Sequence, residues 1–255
     1  MPKNNPFNER VNLGTSHPPL FPTDKEGQQG LDDKTQKTLD PIEGFCKKWI
    51  SIPFKKEILV PKIAALYGSP RRNGNTATLL KHTVRGACEA GAEVDEIVIR
   101  DLKLLPCLEI YACKETGVCA LKDDFSSVRE RILSADGVIL ASPIFFYAVS
   151  AHTKILMDRC QSFWVKKYWI DEVPPGQWKP KRRGMFISAG ATRGKKLFDG
   201  AVLTVKYFFD VLEADLWKSL LYRGLDLQGD VDQHPEYLEE AFTAGKELVQ
   251  LIEAA

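Results

Sequence analysis

The segment Gly68-Ser69-Pro70-Arg71-Arg72-Asn73-Gly74-Asn75-Thr76 follows the apolar run Ile63-Ala64-Ala65-Leu66-Tyr67. It gathers small residues, short polar side chains and a guanidinium at the point where a strand would give way to a helix. A strand that stops at Gly68 and a helix that starts near Thr76 leave backbone N–H groups unpaired at the helix's positive end, where a phosphate oxygen can accept from them. Ser69, Asn75 and Thr76 add side-chain donors, Arg71 adds charge, and Asn73 and Gly74 complete the loop. A Walker A loop needs four residues between its glycines and then Lys before Ser or Thr. Here five residues separate Gly68 from Gly74, and Asn75 stands in the Lys position. The spacing also departs from Gly-x-Gly-x-x-Gly. A terminal phosphate monoester therefore suits the loop better than a nucleoside triphosphate or a pyrophosphate. The alternative is an ordinary strand-to-helix turn capped by Asn or Thr.

Two further segments stand beyond apolar runs. Pro143 follows Val138-Ile139-Leu140-Ala141-Ser142 and precedes Ile144-Phe145-Phe146-Tyr147. These aromatic residues could continue a buried strand, but a proline directly after a central strand argues for a loop. The third segment, Ser188-Ala189-Gly190-Ala191-Thr192, leads into Arg193, Lys195 and Lys196, which read either as a solvated helix start or as a receiver for a phosphate. His17, His82, His152 and His234 show no metal spacing and receive no role. Phe163, Trp164, Tyr168 and Trp169 read equally as ordinary packing or as a cap over a ligand across a subunit interface.

Elements to carry these loops are legible in the alternation of pattern. Strands are expected near 62–67, 94–99, 137–141, 184–189 and 215–221, and helices near 76–90, 125–134, 148–162, 194–212 and 236–253. Such alternation implies a parallel sheet covered on both faces, whose ligands bind beyond the carboxyl ends of the strands. Residues 61–255 form this domain. Residues 1–60 read as an extension or arm: the first 40 are rich in Pro, Gly, Asn, Asp and Lys, and residues 41–60 carry apolar side chains between lysines, which suits packing on a neighbouring subunit.

The chain has 255 residues, 44% hydrophobic and 27% charged, with a net charge of +1. That balance offers no footprint for nucleic acid. No apolar stretch approaches a membrane span and the polar start lacks a signal-peptide core, so a cytoplasmic protein is expected. Its six cysteines are too sparse for a disulfide scaffold, and clustered cysteines in a reducing compartment point to metal or redox chemistry. Cys88 and Cys160 fall in expected helices and read as buried small hydrophobes.

The loop Gly68 to Thr76, the stretch Ala141-Ser142-Pro143-Ile144-Phe145-Phe146-Tyr147-Ala148-Val149-Ser150 and the helix end Met157-Asp158-Arg159 resemble the flavodoxin-like NAD(P)H-dependent FMN reductases, especially the branch related to iron-sulfur flavoproteins. The resemblance covers about residues 61–255. It implies an α/β, flavodoxin-like, doubly wound five-stranded sheet of order 2-1-3-4-5, bound FMN, and a homodimer or homotetramer that completes the flavin pocket. By the same resemblance Ser69, Arg71, Asn73, Gly74, Asn75 and Thr76 would hold the FMN phosphate. Pro143, Ile144, Phe145, Phe146 and Tyr147 would wrap the isoalloxazine ring, and Ser188, Ala189 and Gly190 would open a third loop around it. A flat, largely apolar ring with polar edges does need such walls and backbone donors.

The iron-sulfur flavoprotein pattern resembles C-x2-C-x2-C-x5-C before a Lys-Asp-Asp segment. Cys107, Cys113 and Cys119 match its first, third and fourth positions, before Lys122-Asp123-Asp124, whereas the second is Ile110. Isoleucine cannot ligate iron, and a [4Fe–4S] cluster ordinarily takes four thiolates. No iron-sulfur cluster is expected, and the three cysteines read as inert loop residues or as thiols near enough for a disulfide. The resulting expectation is an oxidoreductase that transfers hydride from NAD(P)H to bound FMN and passes electrons to a small-molecule or protein acceptor, with no side chain required as acid or base. The alternative is a flavin electron carrier or docking protein without nicotinamide activity, with or without an iron-sulfur cluster on Cys107, Cys113 and Cys119.

Overall fold

The computed structural model describes residues 60–174 and 177–255. The expectations placed on the arm within residues 1–59, and His17, lie outside these. The described chain runs β1 (Lys62–Tyr67), α1 (Asn75–Glu89), β2 (Glu93–Val98), α2 (Cys113–Thr116), α3 (Phe125–Leu133), β3 (Gly137–Ala141), α4 (Ala151–Arg159), α5 (Gln161–Val165), β4 (Arg182–Gly190), α6 (Asp199–Val211), β5 (Ala214–Arg223) and α7 (Pro235–Glu253). The five strands form one sheet in the order β2-β1-β3-β4-β5, and every neighbouring pair is parallel. The doubly wound flavodoxin-like architecture is therefore present.

Burial on both faces explains why the central strands are nearly continuous apolar runs rather than alternating ones: all of β3 and all but the first residue of β1 are buried. One face packs Leu156, Phe163, Phe208 and Phe209 with Phe125 and Ile132. The other packs α1 and α7 through Leu79, Leu80, Leu248 and Val249. These two helices approach until a Cβ at Gly86 would stand 2.0 Å from the Phe242 carbonyl oxygen, and one at Gly245 would stand 2.0 Å from that of Thr83.

The order reverses between β2-β1 and β3-β4-β5, so the chain leaves β1 and β3 in opposite directions and opens a crevice at their carboxyl ends. The connection is fixed by Gly68 N–H, which donates to the Ala141 carbonyl over 2.7 Å.

Two helices differ from expectation. The one expected near 148–162 starts at Ala151, because Phe145 and Ala148 close a tight turn on each other; it then breaks at Cys160 into α5 and a π-helical turn, Lys166–Ile170. The one expected near 194–212 starts at Asp199. Arg223 holds the carbonyls of Gly194 and Lys195, each at 3.2 Å, and keeps residues 191–198 out of the helix. Cys160 is buried as expected, but Cys88 is exposed: the buried stripe of α1 runs through Leu79, Leu80, Thr83, Gly86 and Ala87, and Cys88 lies off it.

Candidate functional site

The N-terminus of α1 is left open by its own sequence. Gly74 occupies the N-cap position and offers no side-chain bond. The first bond of the helix runs from Thr78 N–H to the Gly74 carbonyl, 3.0 Å, so the N–H groups of Asn75, Thr76 and Ala77 point out of the helix end, where the macrodipole favours an anion. Ser69 accepts from the Arg71 N–H at 3.1 Å through its Oγ, which folds the loop back toward the helix. A Cβ on Gly74 would stand 3.1 Å from that Oγ and narrow the cradle.

A cavity of about 130 Å³ lies against this helix end. It brings together Ser69, Arg71, Gly74, Asn75 and Thr76 from the first loop, Pro143, Ile144 and Phe145 from the second, and Ala189 and Gly190 from the third. Loops read separately in the sequence thus converge because β1, β3 and β4 are adjacent. The volume is small beside the roughly 300–1,000 Å³ of pockets that enclose a whole drug-sized ligand. It suits a phosphate with part of its attached chain. Open amides at a helix end, a hydroxyl, a guanidinium and a glycine whose side chain would intrude fit the phosphate end of a flavin mononucleotide.

Other site residues sit elsewhere. Asn73 Oδ1 accepts from Lys81 Nζ at 3.0 Å, on the side of the loop away from the cavity. The Asn75 side chain donates to the Leu227 carbonyl at 2.9 Å and accepts from Val231 N–H at 3.3 Å, so it clamps the chain after β5 and leaves only its backbone to face an anion. That clamp brings Leu225 and Asp226 into the lining, a contribution the sequence reading missed although both follow directly after a strand of the sheet.

Ser188 is buried behind the lining and donates to the Ser142 carbonyl at 2.7 Å. It belongs to a sealed hydroxyl network. Ser150 Oγ donates to the Gly68 carbonyl at 2.5 Å and receives the Thr153 N–H at 3.3 Å, while Ser142 Oγ accepts from Ser150 N–H at 3.0 Å. One capping serine therefore ties the end of β1, the end of β3 and the start of α4. A Cβ on Gly68 would stand 2.0 Å from Thr153 Oγ1, which explains why the first loop begins with glycine.

The aromatic turn stands at the mouth. Phe145 and Ala148 exchange two backbone bonds, 2.9 and 3.0 Å, and the residues between them, Phe146 and Tyr147, have φ of 51° and 61°. Positive φ at both central positions of a two-residue turn is the pattern normally met by Asn-Gly. Phe146 is wholly exposed, and Phe145 and Tyr147 are half exposed. The Tyr147 backbone lies against the start of α6: a Cβ on Gly200 would stand 2.8 Å from the Tyr147 carbonyl oxygen.

The cysteines form a separate feature. Cys107, Cys113 and Cys119 line a cavity of about 520 Å³ together with Ile110 and Trp169. Burial pushes the Cys113 thiol up, and the neighbouring Cys119 and Cys107 add to it. The five cysteines among the described residues are all free. No group of three or more His, Cys, Asp or Glu among the described residues is arranged to hold a metal ion. Ile110 lies in the same cavity at the position where a fourth thiolate would be needed, so the donor set does not fit a [4Fe–4S] cluster.

The aromatic residues Trp164, Tyr168 and Trp169 line a third cavity, about 600 Å³, between α4, α5 and α6, whereas Phe163 is buried in the core. No helix among the described residues is long and apolar enough to cross a membrane.

Comparison with known proteins bears on these features. The pattern of the family described as NADPH-dependent FMN reductase matches residues 61–199, which include all three loops. An iron-sulfur flavoprotein of Methanocaldococcus jannaschii is 41% identical over 98 residues, 38% of this chain and 51% of the relative. A second iron-sulfur flavoprotein of that organism is 33% identical over 155 residues, 60% of this chain and 72% of the relative. The chain spans about half the length of the first of these relatives. An NAD(P)H:quinone oxidoreductase from Methanothermobacter marburgensis superposes with a TM-score of 0.55 at 17% identity, over 74% of this chain and 96% of its own, and shares the fold.

Proposed function

The chain belongs to the NADPH-dependent FMN reductase family, in its iron-sulfur flavoprotein branch, and from that membership we propose that it is an FMN-dependent oxidoreductase that takes reducing equivalents from a nicotinamide nucleotide and delivers them to an acceptor. The observation that carries this reading is the convergence of the three loops on the uncapped end of α1. When bound, FMN supplies hydride acceptance from a reduced nicotinamide and onward electron transfer.

The chain's own residues bind and orient. The N–H groups of Asn75, Thr76 and Ala77, with Ser69 and Arg71, hold the phosphate, because charge-assisted bonds at a helix end are the strong ones. Pro143 fixes the direction in which the second loop leaves β3, and Ile144 and Phe145 give an apolar wall. The third loop supplies backbone at Ala189 and Gly190, where the absence of bulky side chains lets a planar group approach closely. The Ser142, Ser150 and Thr153 hydroxyls hold these pieces in register from behind. Among the described residues no histidine or thiol lines the cavity, and its one carboxylate, Asp226, is exposed; this suits chemistry that the cofactor carries, with the protein contributing position and a polar rim.

An anaerobic visible spectrum of the purified protein tests the reading. Flavin absorbance that bleaches on addition of NADPH or NADH is the expected result. A flavin that ignores both nucleotides would turn the reading toward an electron carrier, and protein that neither contains nor takes up FMN would overturn it.

A further inference from the structure

The segment between β2 and α3 holds three sulfurs that the flavin reading does not use. Cys107, Cys113 and Cys119 are free and line one cavity of about 520 Å³, with Trp169 in its wall. Cys107 is exposed and the other two are half-buried, so solvent reaches all three. The described residues hold no group of three placed to share a metal ion. A bond between two sulfurs asks for less, since it needs only one pair within reach.

Cys113 and Cys119 are the pair that the local fold brings round. Gly117 stands between them with φ of +70°, and its N–H donates to the Cys113 carbonyl at 2.8 Å. Thr116 Oγ1 then accepts from the Val118 N–H at 3.2 Å, so the chain reverses direction over these residues. A Cβ on Gly117 would stand 2.7 Å from the Lys166 Cβ; the turn is pressed against the π-helical turn, and both the space and the backbone angle call for glycine. Burial pushes the Cys113 thiol up, and Cys119 adds more to this than Cys107 does, as a nearer sulfur would. Cys119 has a further neighbour in Arg159, whose side chain is wholly buried. Burial would lower the Arg159 guanidinium, but Asp123 and then Cys119 more than reverse this, and the Arg159 Nε has no partner of its own. A guanidinium beside a sulfur favours its anionic, attacking form.

We propose that Cys113 and Cys119 form a reversible redox pair, in which Cys119 reacts with a hydroperoxide and Cys113 closes a disulfide with it. The Cys119 thiolate attacks one peroxide oxygen: an S–O bond forms, the O–O bond breaks, and the displaced oxygen takes a proton from solvent and leaves as water or alcohol. The sulfur is oxidised by the electron pair that the peroxide gains. The Cys113 sulfur then attacks the sulfenic acid; an S–S bond forms as the S–O bond breaks, and the departing hydroxide leaves as water with the Cys113 proton. A dithiol reductant reverses the change by exchange. Arg159 acts through Cys119, as a positioning residue. The inference stands apart from the flavin reading, because the oxidant is a hydroperoxide and no step passes through a flavin.

The test uses the full chain as purified, reduced, freed of reductant and treated with an equimolar amount of hydrogen peroxide. Remaining thiols are counted and alkylated in denaturant, and the bridge is located by tandem mass spectrometry. The expected result is the loss of two titratable thiols per chain, a Cys113–Cys119 bridge, and full recovery of both thiols with dithiothreitol. Cys113→Ser should form no bridge and should hold a sulfenic acid on Cys119 that dimedone captures. Cys119→Ser should form no bridge and take no dimedone at Cys113. The unaltered protein decides the case by itself should either variant fold poorly. Treated protein that keeps all its thiols, or whose bridge joins Cys107 or two separate chains, would overturn the proposal. So would dimedone capture at Cys113 in the Cys119→Ser variant, because the attacking sulfur would then not be the one beside Arg159.

Discussion

Arg159 and Asp123 form a two-pronged ion pair, Nη1 to Oδ2 at 2.5 Å and Nη2 to Oδ1 at 3.0 Å, with side-chain exposures of 0% and 6%. The same two residues close a ring around the cysteine segment. Arg159 also donates to the Leu105 carbonyl at 2.9 Å, and Asp123 accepts from the N–H groups of Leu105 and Phe125 at 2.9 and 3.1 Å. The end of α4, the start of the segment and the start of α3 are thus tied at one point. Arg159 stacks 4.8 Å from the Phe125 ring centre, and its buried Nε has no partner.

Removal of one partner should therefore be costly. Asp123→Asn leaves a buried guanidinium without its counter-charge, and broken buried pairs of this kind cost about 3–5 kcal/mol. Urea denaturation at neutral pH should read that loss. The pair also sets an acid dependence. Burial alone would raise the Asp123 carboxyl, but the Arg159 bonds and the Leu105 and Phe125 amides more than reverse this and hold it below the usual carboxylate range. A depressed folded-state value gives stability that is present above the unfolded value, about 3.9, and is lost as pH falls through the folded one. The Asp123→Asn variant should lack that part of the wild-type decline below about pH 4. Identical acid limbs for the two proteins would refute this assignment.

Asn75 gives a second test, because its side chain and its backbone face different ways. Asn75→Ala removes the bonds to Leu227 and Val231 but keeps the N–H at the helix end. A stability loss of about 1–3 kcal/mol is expected, mainly the cost of leaving the buried Val231 N–H unmet. FMN affinity should fall as well, through release of Leu225 and Asp226 from the cavity lining. Ser69→Ala should lower FMN affinity with a much smaller effect on melting of the flavin-free protein. Melting curves with and without FMN, and fluorescence titration, separate the two behaviours. An Asn75→Ala variant with unaltered flavin-free melting would refute the clamp.

The fold was more legible than the site, for physical reasons that particular residues display. The run Lys62–Tyr67 and the helix Pro235–Glu253 lie within one residue of their expected bounds, because apolar continuity and helical periodicity are local signals. The strand order followed from the resemblance, whereas the alternation of elements gave a parallel sheet covered on both faces. Asn75 reads from sequence as a phosphate donor, and its side chain instead bonds to residues more than 150 positions away; no local pattern encodes that. Ser188 reads as part of a ligand loop and belongs to the hydroxyl network behind it. Strands alternate their side chains across the sheet, and one position decides which side a residue serves. Arg223 was not singled out, since its effect is to keep Gly194 and Lys195 from starting a helix they would otherwise join.

The turn at Phe146 and Tyr147 stores strain that can be measured. Left-handed backbone costs a non-glycine residue roughly 1–2 kcal/mol, while glycine loses about 0.5–1 kcal/mol of additional chain entropy. Phe146 buries nothing, so Phe146→Gly gives up no packing. A gain of about 0.5–1 kcal/mol is expected, or a few degrees in melting temperature for a domain of this size. If strain is retained for ligand contact, as at many functional sites, the same variant should hold FMN less tightly. A lower melting temperature would show that the turn is not strained in the way its angles indicate.

The cysteine loop supports a gain-of-function test. Cys107, Cys113 and Cys119 line one cavity with Ile110, the four positions of a C-x2-C-x2-C-x5-C pattern with a single ligand replaced, although among the described residues the three thiols are not gathered closely enough to hold a metal ion as they stand. Glu109 and Tyr111, on either side of Ile110, have φ of 51° and 60°, and these left-handed residues turn the chain back on itself so that position 110 joins the cysteines. Ile110 is 57% exposed, which makes its replacement inexpensive for the core. Ile110→Cys should therefore take up about four iron and four sulfide per chain on anaerobic reconstitution, because a [4Fe–4S] cluster ordinarily takes four thiolates. The unaltered protein, treated alike, should retain iron well below stoichiometry. Iron and acid-labile sulfide assays on both proteins decide the matter. Stoichiometric iron in the unaltered protein would mean that three cysteines suffice with an external fourth ligand. A variant that still refuses iron would mean that the loop has lost the geometry of the site along with the ligand.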